Sequence, residues 1–315
     1  MSKKNGSSPA LTEMPTWYAP KEKISFGKMI YDKKNGTYFG RTPKSWGQLM
    51  LFYIIFYIIL AGLFATCMQG LFSALNDKTP LRQLKDSLIG TNPGLGFRPL
   101  SEETERGSVI QFDTKKPDEG QYWVSLLDDF LDSYSNRNGD KQSKICGFNS
   151  THNSQQVCFV DIDSFGPCTK QNSYGYKNGR PCVFLKLNKI FGWEPQYYDD
   201  PQHLPDNMPI DLQEHIGNVS QLERQQIWVS CHGQHSNDKE KMGAINYYPS
   251  RGFAAYYYPF LNQPGYLSPL IAVQFEKPKV NEMVTVECRA WAKNIIYSGS
   301  NRDRMGSVVF QLYID

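Results

Sequence analysis

The sequence predicts a single transmembrane helix followed by a mainly-β domain, an antiparallel sandwich with long loops and one helix near 121–135. Three observations predict this class. Residues 49–71 form an uncharged apolar run, six of the seven cysteines follow that run, and several later stretches alternate between apolar and polar residues. The net charge of +3 is small and dispersed, whereas a nucleic-acid-binding protein usually shows a basic face or stripe. We therefore expect no nucleic-acid partner.

The apolar run reads LMLFYIIFYIILAGLFATCMQGL and holds 23 residues without a charged side chain. As a helix it would extend roughly 34 Å, enough to cross roughly 30 Å of hydrocarbon. A buried core helix of this length would usually show a polar stripe, and here only Gln69 interrupts the run. Because a polar region of 48 residues precedes it, the run is not a cleaved signal peptide. We expect an uncleaved anchor over 49–75.

The charge on either side of the anchor predicts its orientation. Residues 1–48 carry nine Lys and Arg against three Asp and Glu, and four of these basic residues lie between 33 and 44. The positive-inside rule places this tail in the cytoplasm, although three further basic residues follow the anchor between 78 and 85. Residues 76–106 are rich in proline and glycine and predict a stalk, which leaves 107–315 as the outer domain.

The cysteines indicate an oxidising compartment for that domain. Six cysteines in one extramembrane region favour three disulfides, and the absence of a CxxC pair argues against zinc. Fifteen pairings are possible. We favour nearest neighbours along the chain: Cys146–Cys158, Cys168–Cys182 and Cys231–Cys288.

Glycosylation sequons fall on the same side of the anchor. Asn149 (NST) and Asn218 (NVS) lie among turn-forming residues, where a glycan would be solvated. Asn5 and Asn35 also match the motif, but they lie on the basic side, which a lumenal transferase cannot reach. Together these features predict a type II membrane glycoprotein.

Periodicity predicts the elements of the outer domain. Apolar residues at helical spacing predict the helix at 121–135, and period-two alternation predicts half-buried strands at 227–231, 284–290 and 308–314. Cys231 and Cys288 both fall on the apolar faces of their strands. That placement favours a disulfide between the inward faces of two packed sheets.

Motifs of catalysis are scarce. The sequence holds no GxSxG, HExxH, P-loop or glycine-rich dinucleotide motif, so we expect no catalytic residue and no cofactor. Asp161 and Asp163 form a DxD of the kind that holds a divalent metal in type II glycosyltransferases. A solvated turn is the favoured interpretation, and a glycosyltransferase is the alternative. The CHGQH at 231–235 lacks the spacing of a metal site, and we expect no metal there.

Several long motifs resemble the beta subunit of the sodium/potassium-transporting ATPase. The resemblance covers about residues 36–315, and only the short loop between Cys146 and Cys158 departs from the vertebrate pattern, which suits an invertebrate form. The motifs that carry it are GRTPKSWGQLMLFYIIFYIILAGLF at 40–64, PGLGFRP at 93–99, KNGRPCVFLKLNKIFGWEP at 177–195, YYPF at 257–260, YLSPLIAVQF at 266–275 and VTVECRAW at 284–291.

The resemblance implies a non-catalytic subunit of a P-type cation pump with an immunoglobulin-like outer domain and three consecutive disulfides. Such a subunit assists the folding, membrane insertion and surface delivery of the catalytic alpha subunit in the plasma membrane, and it tunes potassium affinity. A role as a glycan-bearing adhesion protein, with glycan-mediated cell contacts, can coexist with this one.

The anchor helix offers two surfaces for a partner. Tyr53 and Tyr57 share one face, and Gly62, Thr66 and Gly70 form a small-residue stripe on nearly the opposite face. A tyrosine hydroxyl this deep in a bilayer should find an acceptor on another helix. We expect the tyrosines to contact the alpha subunit, and the stripe to face either protein or the lipid bilayer.

Overall fold

The computed structural model of the chain describes residues 30–33, 35–88, 90–104, 106–135, 143–149, 157–299 and 304–315. Two compact units divide between Leu75 and Asn76.

The first unit is dominated by one long helix, α1, from Pro43 to Ala74. The Thr42 side chain caps it by accepting a hydrogen bond from the Ser45 amide at 3.3 Å, and proline occupies the first turn. With 32 residues, α1 is long and apolar enough to cross a membrane. It begins six residues before the predicted boundary at 49. Thr42 and Pro43 determine where the helix starts, and that point need not coincide with the start of the apolar run.

A short hairpin precedes α1 within the predicted tail. Strand β1 (Tyr31–Asp32) pairs with β2 (Thr37–Tyr38), and the two tyrosine rings lie 4.8 Å apart. The rest of the predicted tail, residues 1–29, lies outside the described residues.

Two sheets form the second unit. The larger sheet contains β4 (Val109–Phe112), β8 (Gln226–Gly233), β10 (Gly252–Ala254), β12 (Val284–Trp291) and β13 (Ser307–Ile314), and the smaller one contains β3 (Leu95–Arg98), β7 (Cys182–Leu187), β9 (Ile245–Tyr248) and β11 (Leu270–Phe275). From one edge to the other, the strand order is β10-β8-β12-β13-β4 in the larger sheet and β3-β7-β11-β9 in the smaller sheet. A separate pair joins β5 (Ser143–Lys144) to β6 (Val157–Cys158).

The sequence predicted antiparallel strands throughout, but the larger sheet contains one parallel pair. Strand β4 runs parallel to β13, with Val109 opposite Gln311. Parallel neighbours need a long connection rather than a tight turn, and almost the whole domain separates these two strands along the chain.

Aromatic side chains join the two sheets into a sandwich. The ring of Phe310 on β13 lies 5.0 Å from that of Phe97 on β3 and 6.1 Å from that of Phe275 on β11. All three side chains are buried in one core. Phe97 belongs to this core, so the strand Leu95–Arg98, which falls within the predicted stalk at 76–106, packs as part of the domain.

The predicted helix at 121–135 is part of α2, Pro117–Ser135. Trp123 and Leu127 are fully buried, and the Trp123 indole donates to the carbonyl of Gln111 on β4 at 2.8 Å. The helix starts four residues early, since Asp118 and Glu119 favour the positive end of its dipole.

The outer side of the larger sheet is covered by α3, Ile210–Asn218. Leu212 and Ile216 of this helix form a second cluster with Trp228 and Trp291 of the sheet. Strand β8 is consequently buried on both faces, whereas its alternation predicted only one. A short helix, α4, spans Ser236–Lys241 beyond β8.

A loop beneath α2 takes a rare backbone conformation. In the 3₁₀ segment Lys170–Asn178, residues Ser173, Tyr174 and Gly175 have φ of 49°, 47° and 78°. The Tyr174 hydroxyl donates to Asp128 Oδ1 at 2.8 Å, and Lys170 Nζ lies 3.0 Å from Asp128 Oδ2. Two polar contacts therefore connect this loop to α2.

Candidate functional site

The tyrosine face of α1 lacks hydrogen-bond partners of its own. The rings of Tyr53 and Tyr57 stack with centroids 6.1 Å apart. Their side chains are exposed, and neither hydroxyl makes a hydrogen bond within the part of the chain that the structure describes. Inside a membrane a hydroxyl without an acceptor is unfavourable, so these two hydroxyls are candidates for contact with another molecule.

The small-residue stripe differs from the tyrosine face. The Thr66 hydroxyl donates to the carbonyl of Gly62 at 2.8 Å within the helix. A Cβ added at Gly62 or Gly70 would meet nothing within 4 Å. Another helix could therefore pack closely against the stripe. The Thr66 hydroxyl already has an acceptor within α1, so it does not need a partner from another helix.

Three disulfides hold the second unit together. They are Cys146–Cys158, Cys168–Cys182 and Cys231–Cys288, with sequence separations of 12, 14 and 57. Cys67, in the middle of α1, is free and exposed.

The Cys231–Cys288 bridge does not join two sheets, and that prediction was wrong. Cys231 on β8 and Cys288 on β12 are directly opposite each other on adjacent strands of the same sheet. Period-two alternation correctly assigned both side chains to one face, but it contains no information about which strands are neighbours.

The DxD pair forms a local turn. Asp161 accepts a hydrogen bond from the Asp163 amide at 3.2 Å and so caps the 3₁₀ turn Ile162–Ser164. Among the described residues no group of three or more His, Cys, Asp or Glu side chains could hold a metal ion.

The CHGQH segment is likewise used by the fold. Cys231 is in a disulfide, and His235 and Asp238 form a capping box at the start of α4. His232 Nε2 lies 3.7 Å from Glu287 Oε2, and burial lowers the pKa of this histidine. Cys231, His232 and His235 of this segment thus have separate structural roles.

The three sequon asparagines within the described residues are all exposed. Asn149 is exposed, and Asn218, the last residue of α3, is exposed as well. Asn35 is exposed, and its side chain donates to Asp32 at 2.9 Å. Asn5 lies outside the described residues.

Similarity to known proteins decides the family. The family description "Sodium / potassium ATPase beta chain" matches residues 19–310 of this chain. The chain belongs to the sodium/potassium ATPase beta chain family. The match includes α1, all six bridged cysteines and both sheets except the last four residues of β13, so the resemblance noted in the sequence extends across nearly the whole fold.

Individual relatives agree. The chain is 58% identical to sodium/potassium-transporting ATPase subunit beta-1 of Drosophila melanogaster over the full length of both chains. It is 44% identical to the fly's subunit beta-2, covering 94% of this chain and 93% of that one. Identity to subunit beta-1 of Tetronarce californica is 28%, over 87% and 91%. This is an invertebrate beta subunit, an accessory chain rather than the catalytic one, and the glycosyltransferase alternative is not favoured.

Proposed function

We propose that this chain binds the catalytic alpha subunit of a sodium/potassium pump. In that complex it assists the folding, membrane insertion and plasma-membrane delivery of the alpha subunit, and it adjusts potassium affinity. The observation that carries the proposal is the full-length similarity to the fly beta-1 subunit. The single apolar helix and the disulfide-bonded domain are the parts that such a subunit needs.

Tyr57 is the residue through which α1 would bind the alpha subunit. Its hydroxyl makes no hydrogen bond within the described residues, and 60% of the side chain is exposed. The ring of Tyr53 stacks on that of Tyr57. An intramembrane hydrogen bond contributes about 0.6 kcal/mol on average, too little to determine assembly but enough to bias a conformational equilibrium.

We expect Tyr57→Phe to leave surface expression unchanged and to shift the apparent potassium affinity about two- to three-fold, since about 0.6 kcal/mol corresponds to that ratio. Tyr57→Ala also removes the ring and should weaken association that survives mild detergent. Ile58→Ala is the matched control, because Ile58 is similarly exposed at 66% and lies on another face. Unchanged association and potassium affinity in Tyr57→Ala would assign Tyr57 to lipid.

For orientation we propose a type II topology with residues 1–48 in the cytoplasm and the second unit outside. The basic tail, the bridged cysteines and the exposed Asn149 and Asn218 support it. We propose that both asparagines carry glycans and that Asn5 and Asn35 carry none.

Single Asn→Gln variants test the topology by gel mobility before and after glycosidase treatment. We expect Asn149→Gln and Asn218→Gln each to remove one glycosidase-sensitive shift, because only the outer side meets the transferase. Asn35→Gln is the control, since Asn35 is also exposed and fits the same motif. A shift that depends on Asn35 would reverse the topology.

A further inference from the structure

Three basic side chains lie close enough to act on one another in and just after the strands β3 and β7 of the smaller sheet. Arg98 ends β3 and Lys186 lies on β7; Arg98 Cζ and Lys186 Nζ lie 5.6 and 5.9 Å from the ring centroid of Phe130 on α2. Lys189 follows β7, and its Nζ lies 5.3 Å from the ring centroid of Phe260. Arg98, Lys186 and Lys189 are called the cation cluster. The KLNK at 186–189 was the available signal, but sequence reasoning did not use it.

The cation cluster has no carboxylate partner within the described ranges. Several other basic residues of the domain pair closely with acids, as Lys170 does with Asp128 at 3.0 Å and Arg251 with Asp211 at 2.6 Å. The Lys189 ammonium donates only to the carbonyl of Tyr266, at 3.2 Å. The cluster is therefore an uncompensated positive site.

The protein itself compensates this charge poorly. Burial lowers the pKa of Lys186, and the charges of Arg98 and Lys189 lower it further. Burial also lowers the pKa of Lys189. The carbonyl end of α2 supplies only about half a negative charge, against three cations. An external anion would therefore bind with little competition from the fold.

Contacts within the second unit connect the cluster to the segment that follows α1 in the chain. Lys189 contacts the loop 260–266, and the Asn262 side chain of that loop donates to the carbonyl of Lys78 at 3.4 Å. Lys78 is four residues beyond Ala74, the last residue of α1, in the sequence. Arg82 and Lys85 follow, both exposed; with Asp77 and Asp86 in the same segment, residues 76–86 carry a net charge of +1.

We propose that the cation cluster binds phosphate groups of phospholipids in the leaflet from which the chain emerges. Ammonium and guanidinium groups make short, charge-assisted hydrogen bonds to phosphate. Basic and aromatic side chains together are also typical of the membrane interface, and Phe260 and Tyr266 flank Lys189. The proposal requires that α1 spans a bilayer and does not require the alpha subunit.

Acylation of lysines in the full-length chain tests the proposal. An amine-acylating reagent is applied to the chain alone in dodecyl maltoside micelles, in phosphatidylcholine nanodiscs and in nanodiscs that also contain phosphatidylglycerol, and modified lysines are quantified by mass spectrometry. We expect acylation of Lys186 and Lys189 to fall about three-fold or more from micelles to anionic nanodiscs at low salt, and high salt to reverse the fall because it screens charge. Lys116 and Lys293, which pair with Glu119 and Asp199, are internal controls expected to change little.

A substitution within the cluster sharpens the test. Arg98→Gln removes one positive charge and should weaken the phosphate-dependent protection of Lys186. Arg106→Gln is the matched control, because Arg106 pairs with Glu103 at 2.7 Å outside the cluster. Equal reactivity of Lys186 and Lys189 in all three environments would overturn the proposal. So would protection that arises only when a catalytic subunit is added, since the cluster would then bind protein.

Discussion

Replacing Gly175 by alanine is expected to destabilise the outer domain severely. Gly175 has φ of 78°, and an added Cβ would overlap the carbonyl oxygen of Arg180. The backbone cannot easily retreat, because the Arg180 amide donates to the Gly175 carbonyl at 3.0 Å and the Cys168–Cys182 bridge encloses the loop. The left-handed conformation costs alanine roughly 1–2 kcal/mol and the overlap a further 1–3 kcal/mol or so.

Thermal unfolding of the purified full-length chain, followed by near-ultraviolet circular dichroism, measures this effect. A loss of about 3 kcal/mol should lower Tm by on the order of 10 °C in a domain of this size. Gly179→Ala is the matched control: its φ is 65°, but the nearest contact of an added Cβ is the methyl group of Thr114 at 3.3 Å. Equal shifts in Tm for the two variants would contradict the role assigned to Arg180.

Cys231→Ser is expected to be the most damaging cysteine substitution. The Cys231–Cys288 bridge closes a loop with a sequence separation of 57, and chain entropy assigns such a loop about 4 kcal/mol. The other two bridges close loops of 12 and 14 and should contribute about 3 kcal/mol each. Loss of the bridge also leaves Cys288, which is fully buried, opposite a serine hydroxyl in the sheet.

Surface delivery in cells and thermal unfolding of purified protein both report this ranking. We expect Cys231→Ser to be retained in the endoplasmic reticulum, Cys146→Ser to be retained less, and Cys67→Ala to behave as wild type because Cys67 is free. A Cys231→Ser chain that reaches the surface as efficiently as Cys146→Ser would show that loop length does not govern the contribution of these bridges.

Local periodicity was sufficient for the elements whose pattern is strong. The alternation at 284–290 and 308–314 corresponds to β12 and β13, which pair with each other. The helical spacing at 121–135 corresponds to α2, since its buried residues recur on one face. In each element the pattern reflects which side chains are removed from water, and that information is local in sequence.

Neighbour relations could not be predicted in the same way. Cys231 and Cys288 share a sheet, and β4 runs parallel to β13, because distant parts of the chain determine strand order. The strand Leu95–Arg98 was missed, since four residues between prolines and glycines contain too little alternation. The partners of Asp128, Tyr174 and Lys170, come from a loop with an unusual backbone, which no local pattern predicts.

The shared face of Tyr53 and Tyr57 on α1 was predictable from the spacing of the two residues alone. Tyr53 and Tyr57 share a face because residues four apart in a helix always do, and the structure places their rings in contact. The internal hydrogen bond of Thr66 was not predicted, and it makes the small-residue stripe less dependent on a partner. The cation cluster combines β3, β7 and the segment that follows β7, so the KLNK at 186–189 displayed two of its residues but not Arg98.

Co-purification tests the central claim most directly. The full-length chain, expressed in cells of its own lineage and isolated in mild detergent, is analysed by quantitative mass spectrometry alongside the Tyr57→Ala variant. The account predicts a P-type ATPase catalytic subunit in an amount equal to that of this chain, and less of it with Tyr57→Ala. Recovery of the chain alone, or with a stoichiometric partner from another protein class, would contradict the account.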